Sequence, residues 1–276
     1  MTCILMAASA LFCAEPTYAL DNGVIRIEVE PRLFAVRFVG FRDKPNFVAP
    51  LAVEASVAEG KDWTDAGGLQ TDLLPYSGKD AATRRGPAEV IEYRADYIAM
   101  LGPPSESSGM RLKKEIQLDG DLPRAHFRIT AQRVGADPAT VALRSTVRLG
   151  AKSTVRLERT DGDIRVLAGS DSTIPGVVKS RRYWLIPIPP TTDLRGVILG
   201  ASAPRMIVAN DAGTWTRTLV APPVDASRIP NASTFVCVLD SPTGSYGAAL
   251  QGKLTEVKTG ELVTLEEEWV FTKRGG

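Results

Sequence analysis

Residues able to do acid–base chemistry are sparse in this chain, which holds a single histidine, His126. Any histidine-based metal cluster or Ser-His-Asp triad would depend on that one side chain. Around it, Phe127, Ile129 and Ala131 alternate with His126, Arg128, Thr130 and Gln132, so His126 belongs to the polar face of a strand. There it reads as a hydrogen-bond donor or acid toward a polar ligand, or as a plain surface histidine. Arg181-Arg182-Tyr183-Trp184 is the most site-like cluster, because guanidinium groups hold carboxylates bidentately and aromatic faces pack on sugar rings. Its blander reading is a strand end with a core tryptophan and solvated arginines. Trp215 with Arg217 carries the same two readings, and Arg84-Arg85 reads as an exposed loop. Glu266-Glu267-Glu268 looks like an acidic cluster, yet alternation sends Glu266 and Glu268 to one face and Glu267 to the other with Leu265 and Trp269. No Walker, Rossmann or zinc signature is present, so neither cofactor nor metal is expected.

Strands must position these groups, since no convincing helical run follows Leu20. Short alternating segments separated by turn residues predict about 14–18 strands, an all-β class and a large antiparallel two-sheet sandwich. Gly109 to Leu149 reads as a three-stranded meander, with Val141, Leu143, Val147 and Leu149 on one side of its last strand. Ser153 to Glu158 and Asp163 to Leu167 read as a hairpin through Thr160-Asp161-Gly162, where Asp-Gly suits a tight turn. No linker or fixed-period repeat divides the chain.

Cys3 to Ala14 is an apolar stretch too short to span a bilayer, and Thr17-Tyr18-Ala19 follows as a small-x-small cleavage site. The expectation is a signal peptide over residues 1–19, a single domain over 20–276, and export to the periplasm or beyond. No Lys or Arg precedes the apolar run, and the alternative is a buried N-terminal element. Cys237 is then the lone cysteine of the mature chain, which leaves no intramolecular disulfide and no Cys-based zinc site. With 33 Lys plus Arg against 32 Asp plus Glu in 276 residues, there is no electrostatic footprint for nucleic acid or for an anionic membrane. Nothing fixes an oligomeric state.

Four stretches carry a family resemblance: Leu20-Asp21-Asn22-Gly23-Val24-Ile25-Arg26-Ile27-Glu28-Val29, Asp65-Ala66-Gly67-Gly68, Ser108 to Leu118, and Lys258-Thr259-Gly260-Glu261-Leu262 leading into Leu265 to Trp269. In this order they resemble the galactose mutarotase-like supersandwich, in particular an uncharacterised exported bacterial branch. The resemblance implies a sheet face that binds carbohydrate, with Gln70 and Asp72 beside the cleft after Gly67-Gly68. The aldose 1-epimerases of that superfamily use a histidine acid and a glutamate base to open and reclose a sugar ring. Here the segment where the histidine is expected, Leu143-Arg144-Ser145-Thr146-Val147, has none. Gln251 and Glu256 are the nearest counterparts of the glutamate, and an amide such as Gln251 is no general base. Three readings follow: an exported carbohydrate-binding protein without the standard pair, an epimerase that recruits His126 or Glu256, or a cell-envelope interaction module without a small ligand. Arg181, Arg182, Tyr183, Trp184, Trp215, Gln70, Asp72 and Gln251 are the expected substrate contacts.

Overall fold

The computed structural model describes residues 17–50, 67–75, 86–105, 108–150, 152–159, 163–169, 176–189, 194–240 and 244–275. The chain opens with β1 (Tyr18–Asp21), β2 (Ile25–Glu30), β3 (Ala35–Phe41), β4 (Leu69–Leu74), β5 (Glu89–Arg94) and β6 (Tyr97–Pro104). It continues through β7 (Met110–Leu118), β8 (Arg124–Arg133), β9 (Ala139–Arg148), β10 (Ser153–Glu158), β11 (Arg165–Ala168), β12 (Val178–Lys179) and β13 (Tyr183–Ile188). It closes with β14 (Val197–Ala201), β15 (Arg205–Asn210), β16 (Gly213–Leu219), β17 (Phe235–Asp240), β18 (Ser245–Gln251), β19 (Thr255–Val257) and β20 (Leu262–Lys273). These form two ten-stranded antiparallel sheets. The first runs β1-β2-β3-β4-β9-β18-β17-β14-β11 with β19 added on β9, and the second runs β12-β13-β10-β15-β16-β20-β8-β7-β6-β5. The all-β two-sheet expectation holds. The strand number exceeds it because pieces as short as β12 and β19 carry no periodic signal, and Val90 to Leu101 folds into the β5–β6 hairpin.

Alternation explains the layers. In β7, Met110, Leu112, Lys114, Ile116 and Leu118 face inward and are buried, while their neighbours are half-buried. The two sheets close on an aromatic cluster in which Trp215 meets Trp269 edge-on at 5.0 Å and Phe127 stacks on Trp269 at 4.9 Å. Ring pairs of this kind add stability beyond the apolar area they bury.

Two local pairings expected from the sequence do not form. The segment Gly109 to Leu149 is a β7–β8 hairpin followed by a crossing, because β9 pairs with β4 and β18 in the other sheet. A strand has only two hydrogen-bonding edges, and those of β8 are filled by β7 and by the long returning strand β20. Likewise β10 pairs with β13 and β15, and β11 pairs with β14 across the sandwich, so no hairpin joins them. In both places a partner distant in sequence wins over the adjacent one.

The apolar N-terminal stretch, residues 1–16, lies outside the described residues. Tyr18 and Ala19, which the expected cleavage would remove, form half of β1 and pair with Val29 and Glu28. Tyr18 packs edge-on against Tyr93 at 4.9 Å, and the Tyr93 hydroxyl donates to the Ala19 carbonyl at 2.9 Å. Among the described residues no helix is long and apolar enough to cross a membrane.

Candidate functional site

On β9, Val141, Leu143, Ser145 and Val147 face the interior, so Ala142, Arg144, Thr146 and Arg148 stand on the outer face of the first sheet. The register sets Arg144 directly between Asp72 of β4 and Gln251 of β18. One pleat along, Thr146 stands between Gln70 and Ala249. Gly67 and Gly68, at φ of +69° and +66°, turn the chain into β4 through left-handed conformations that glycine adopts without a Cβ clash. Gln70 then donates back to the Gly67 carbonyl at 3.0 Å.

This row of polar groups is sequestered although it lies on an outer face. Gln70, Asp72 and Thr146 are each 2% exposed and Gln251 is fully buried. Buried polar groups of this kind require partners, and the network supplies them for Asp72, Thr146 and Gln251, while Gln70 Oε1 has none among the described residues. Arg144 Nε donates to Gln251 Oε1 at 3.0 Å, and Thr146 Oγ1 donates to Asp72 Oδ2 at 2.9 Å. Gln251 Nε2 donates to the Pro230 carbonyl at 2.8 Å and to the Ser233 carbonyl, which fastens the 226–234 segment over the sheet. Arg165 holds the same segment from its other side through the Ala232 carbonyl at 2.7 Å.

The amide at position 251 is therefore specified by its surroundings. Gln251→Glu would exchange two donated hydrogen bonds for carboxylate–carbonyl repulsion. We expect it to destabilise the fold by about 1–3 kcal/mol, the cost of leaving buried partners unmade. Urea denaturation of the two proteins side by side measures this.

Beneath Arg144 the interior holds a second polar network. Ser145 accepts through its Oγ from Arg217 Nη2 at 2.6 Å and through its carbonyl at 3.1 Å. Arg217 also grips Glu267 with Nε at 2.8 Å and Nη2 at 2.7 Å, and Trp269 Nε1 donates to Glu267 at 2.8 Å. Both ion-pair side chains are fully buried. Strand β9, which carries Arg144 and Thr146 on one face, is thus anchored through Ser145 on the other.

The structure brings Gln70, Asp72 and Gln251 together, with Arg144 between Asp72 and Gln251 on the central strand. Trp215 is a core residue. Arg181, Arg182, Tyr183 and Trp184 cluster at the β12–β13 edge of the second sheet, where Arg182 lies 5.3 Å over the Tyr183 ring and 3.0 Å from Glu158. His126 is exposed on the outer face of the second sheet, and Glu256 is exposed on β19, which pairs with β9 of the first, so the two are not brought together. His126 borders a small cleft with Tyr97, Glu115 and Arg128. Burial alone would raise the Glu115 carboxyl, but hydrogen bonds from Lys113 and Tyr97 outweigh it and hold Glu115 below its ordinary range. Arg144, Thr146 and Arg148 are the residues that sequence reasoning passed over. Their signal was available, as the polar alternates to Val141, Leu143 and Val147.

No family model matches the chain, and no curated protein does. Solved structures do. A galactose mutarotase-like protein from Lactobacillus casei ATCC 334 superposes with a TM-score of 0.60 at 12% identity, covering 93% of this chain and 100% of that one. The fold is galactose mutarotase-like. A galactose mutarotase related enzyme from Lactobacillus acidophilus gives a TM-score of 0.58 at 10% identity over 94% and 98% of the two chains. The GalM/aldose epimerase homologue from C. elegans gives 0.58 at 10% identity over 94% and 99%. The mutarotase-like architecture thus spans nearly the whole chain. Chemistry, by contrast, resides in the side chains placed on it.

Proposed function

We propose that this chain is an exported carbohydrate-binding protein that holds its ligand on the outer face of the first sheet and does not run the histidine–glutamate chemistry of the epimerases. The observation that carries the reading is the Arg144–Gln251 hydrogen bond at 3.0 Å. Ring opening needs an acid that releases a proton near neutral pH and a base that accepts one. A guanidinium does not give up its proton in that range, and an amide has no basic lone pair to offer. Arg144 is the half-buried member of the row, and its guanidinium, held in place by the buried Gln251 beneath the 226–234 segment, suits the hydroxyls of a polyhydroxylated ring. Export is supported by the apolar Cys3 to Ala14 stretch and the Thr17-Tyr18-Ala19 that follows it.

A thermal-shift screen of neutral and acidic monosaccharides and short oligosaccharides tests the binding reading. At least one sugar should raise the unfolding temperature, and Asp72→Asn with Thr146→Val should reduce that shift. Absence of a shift with every sugar would leave the envelope-module reading in its place. A shift that survives at Asp72→Asn/Thr146→Val but vanishes at His126→Asn would move the site to the second sheet.

A further inference from the structure

We infer that the mouth of the sandwich beside β20 accepts an extended acidic-ended peptide of a partner protein by strand addition. Arg133 N donates to the Glu261 carbonyl and Phe271 N to the Pro123 carbonyl, so the odd-numbered residues of β20 bond toward β8. In an antiparallel strand the alternate residues then bond the other way, and Val220 N indeed donates to Glu266 O on that side at 3.0 Å. Strand β16 pairs with β20 only from Glu267 to Lys273. Continuing its register would set Pro222 opposite Thr264, but Pro222 has no N–H to give and β16 ends. Among the described residues no strand pairs with Leu262 or Thr264 on that side. Their N–H and C=O groups form an open edge, the feature that recruits another strand.

That edge borders a cleft of about 510 Å³, within the range of ligand-binding clefts, roughly 300–1,000 Å³. Leu143, Leu219 and Leu265 supply apolar wall, and Pro222, Pro223 and Val224 form the opposite lip. Val224 is 100% exposed, and Val220 and Leu262 are also exposed, an apolar rim without a covering partner among the described residues. The charges select the occupant. Glu266 is engaged by Arg128, while Asp225 accepts from Ser227, keeps its charge and partly offsets the nearby Arg228. Arg228 and Lys253, which also line the cleft, form no ion pair among the described residues. A peptide with apolar side chains at alternate positions and acidic residues at its ends meets both the open edge and the excess of these two cations over the Asp225 carboxylate.

A display library of short extended peptides, apolar at alternate positions and acid-ended, tests this on the full chain, with the best binder remade as a free labelled peptide. We expect Thr264→Pro, which removes an N–H facing the cleft and not the β8 ladder, to weaken that peptide about tenfold or more. N-methylating alternate peptide amides should abolish binding. Arg228→Glu/Lys253→Glu should lose the acid-ended peptide and gain a lysine-ended version. In the unmodified protein, saturating peptide should slow hydrogen exchange at Thr264. The proposal is overturned if the library yields no binder, if N-methylation leaves binding unchanged, or if Thr264 exchange is unaffected. It is equally overturned if acidic oligosaccharides protect Thr264 and peptides do not.

Discussion

Replacing Arg217 with methionine should cost the fold about 3–5 kcal/mol, the penalty for leaving a buried partner charge uncompensated. Glu267 would remain fully buried with only the Trp269 indole N–H as donor, since Arg217 supplies its two guanidinium bonds. The pair's own worth is a separate quantity. Burying both charges is itself expensive, so Arg217→Met/Glu267→Leu should recover most of the loss, as apolar replacements of buried pairs commonly do. The double variant should still bind sugar less tightly than the parent, because Ser145 loses both hydrogen bonds that anchor β9 beneath Arg144. Guanidinium denaturation of the single and double variants measures the stabilities, and sugar titration of the double variant measures the anchoring. If the double variant unfolds as readily as the single one, the uncompensated-charge explanation fails.

The second large effect concerns Lys114, fully buried in β7 with its ammonium over the Phe34 ring at 3.9 Å and bonded to the Phe34 carbonyl. Burial pushes its pKa from the ordinary 10.5 down to about 7, opposed by the charge of Asp72. Between about pH 7 and 10.5 the unfolded chain therefore holds a proton that the folded chain lacks. Stability should rise with pH across that window and lose this dependence below about pH 7. The full span is on the order of 5 kcal/mol. Lys114→Met should flatten this contribution. It should also stabilise the protein at pH 7 by about 1–3 kcal/mol, net of the donor lost by the Phe34 carbonyl. Unfolding followed at pH 7 and pH 9.5 for both proteins decides it. An unchanged pH slope in the variant would contradict the assignment.

Lys114 also marks where sequence patterning stops informing. Met110, Leu112, Ile116 and Leu118 identify an inward strand face from alternation alone, and they bring Lys114 inward with them. Nothing local says that it will find the carbonyl of Phe34, the turn residue just before β3 of the other sheet. The same limit governs topology. Strand positions follow from period-two alternation, but pairing is a competition among edges, and β20 reaches β8 from more than a hundred residues away. Adjacency in sequence therefore suggested a meander and a hairpin that long-range pairing replaced. At the candidate site, Gln70, Asp72 and Gln251 were reached through the family likeness. Arg144 joined them only when the β4–β9 and β18–β9 registers set it between two of them. Arg217 and Glu267 followed the same course: alternation placed Glu267 inward beside Trp269, while its salt bridge crosses between strands that the sequence does not join.

The fold thus retains mutarotase-like architecture while the outer face of the first sheet carries Arg144 hydrogen-bonded to the buried Gln251, a pair unsuited to moving protons. One measurement addresses this most directly: proton NMR of a freshly dissolved α-anomer of a sugar that shifts the unfolding temperature, recorded with the protein and with buffer alone. Saturation transfer to the sugar reports binding, and the growth of the β-anomer signal reports catalysis in the same tube. We expect transfer that Asp72→Asn/Thr146→Val diminishes, together with an equilibration rate equal to that in buffer. Equilibration accelerated in proportion to protein concentration, or no transfer at all, would contradict the account.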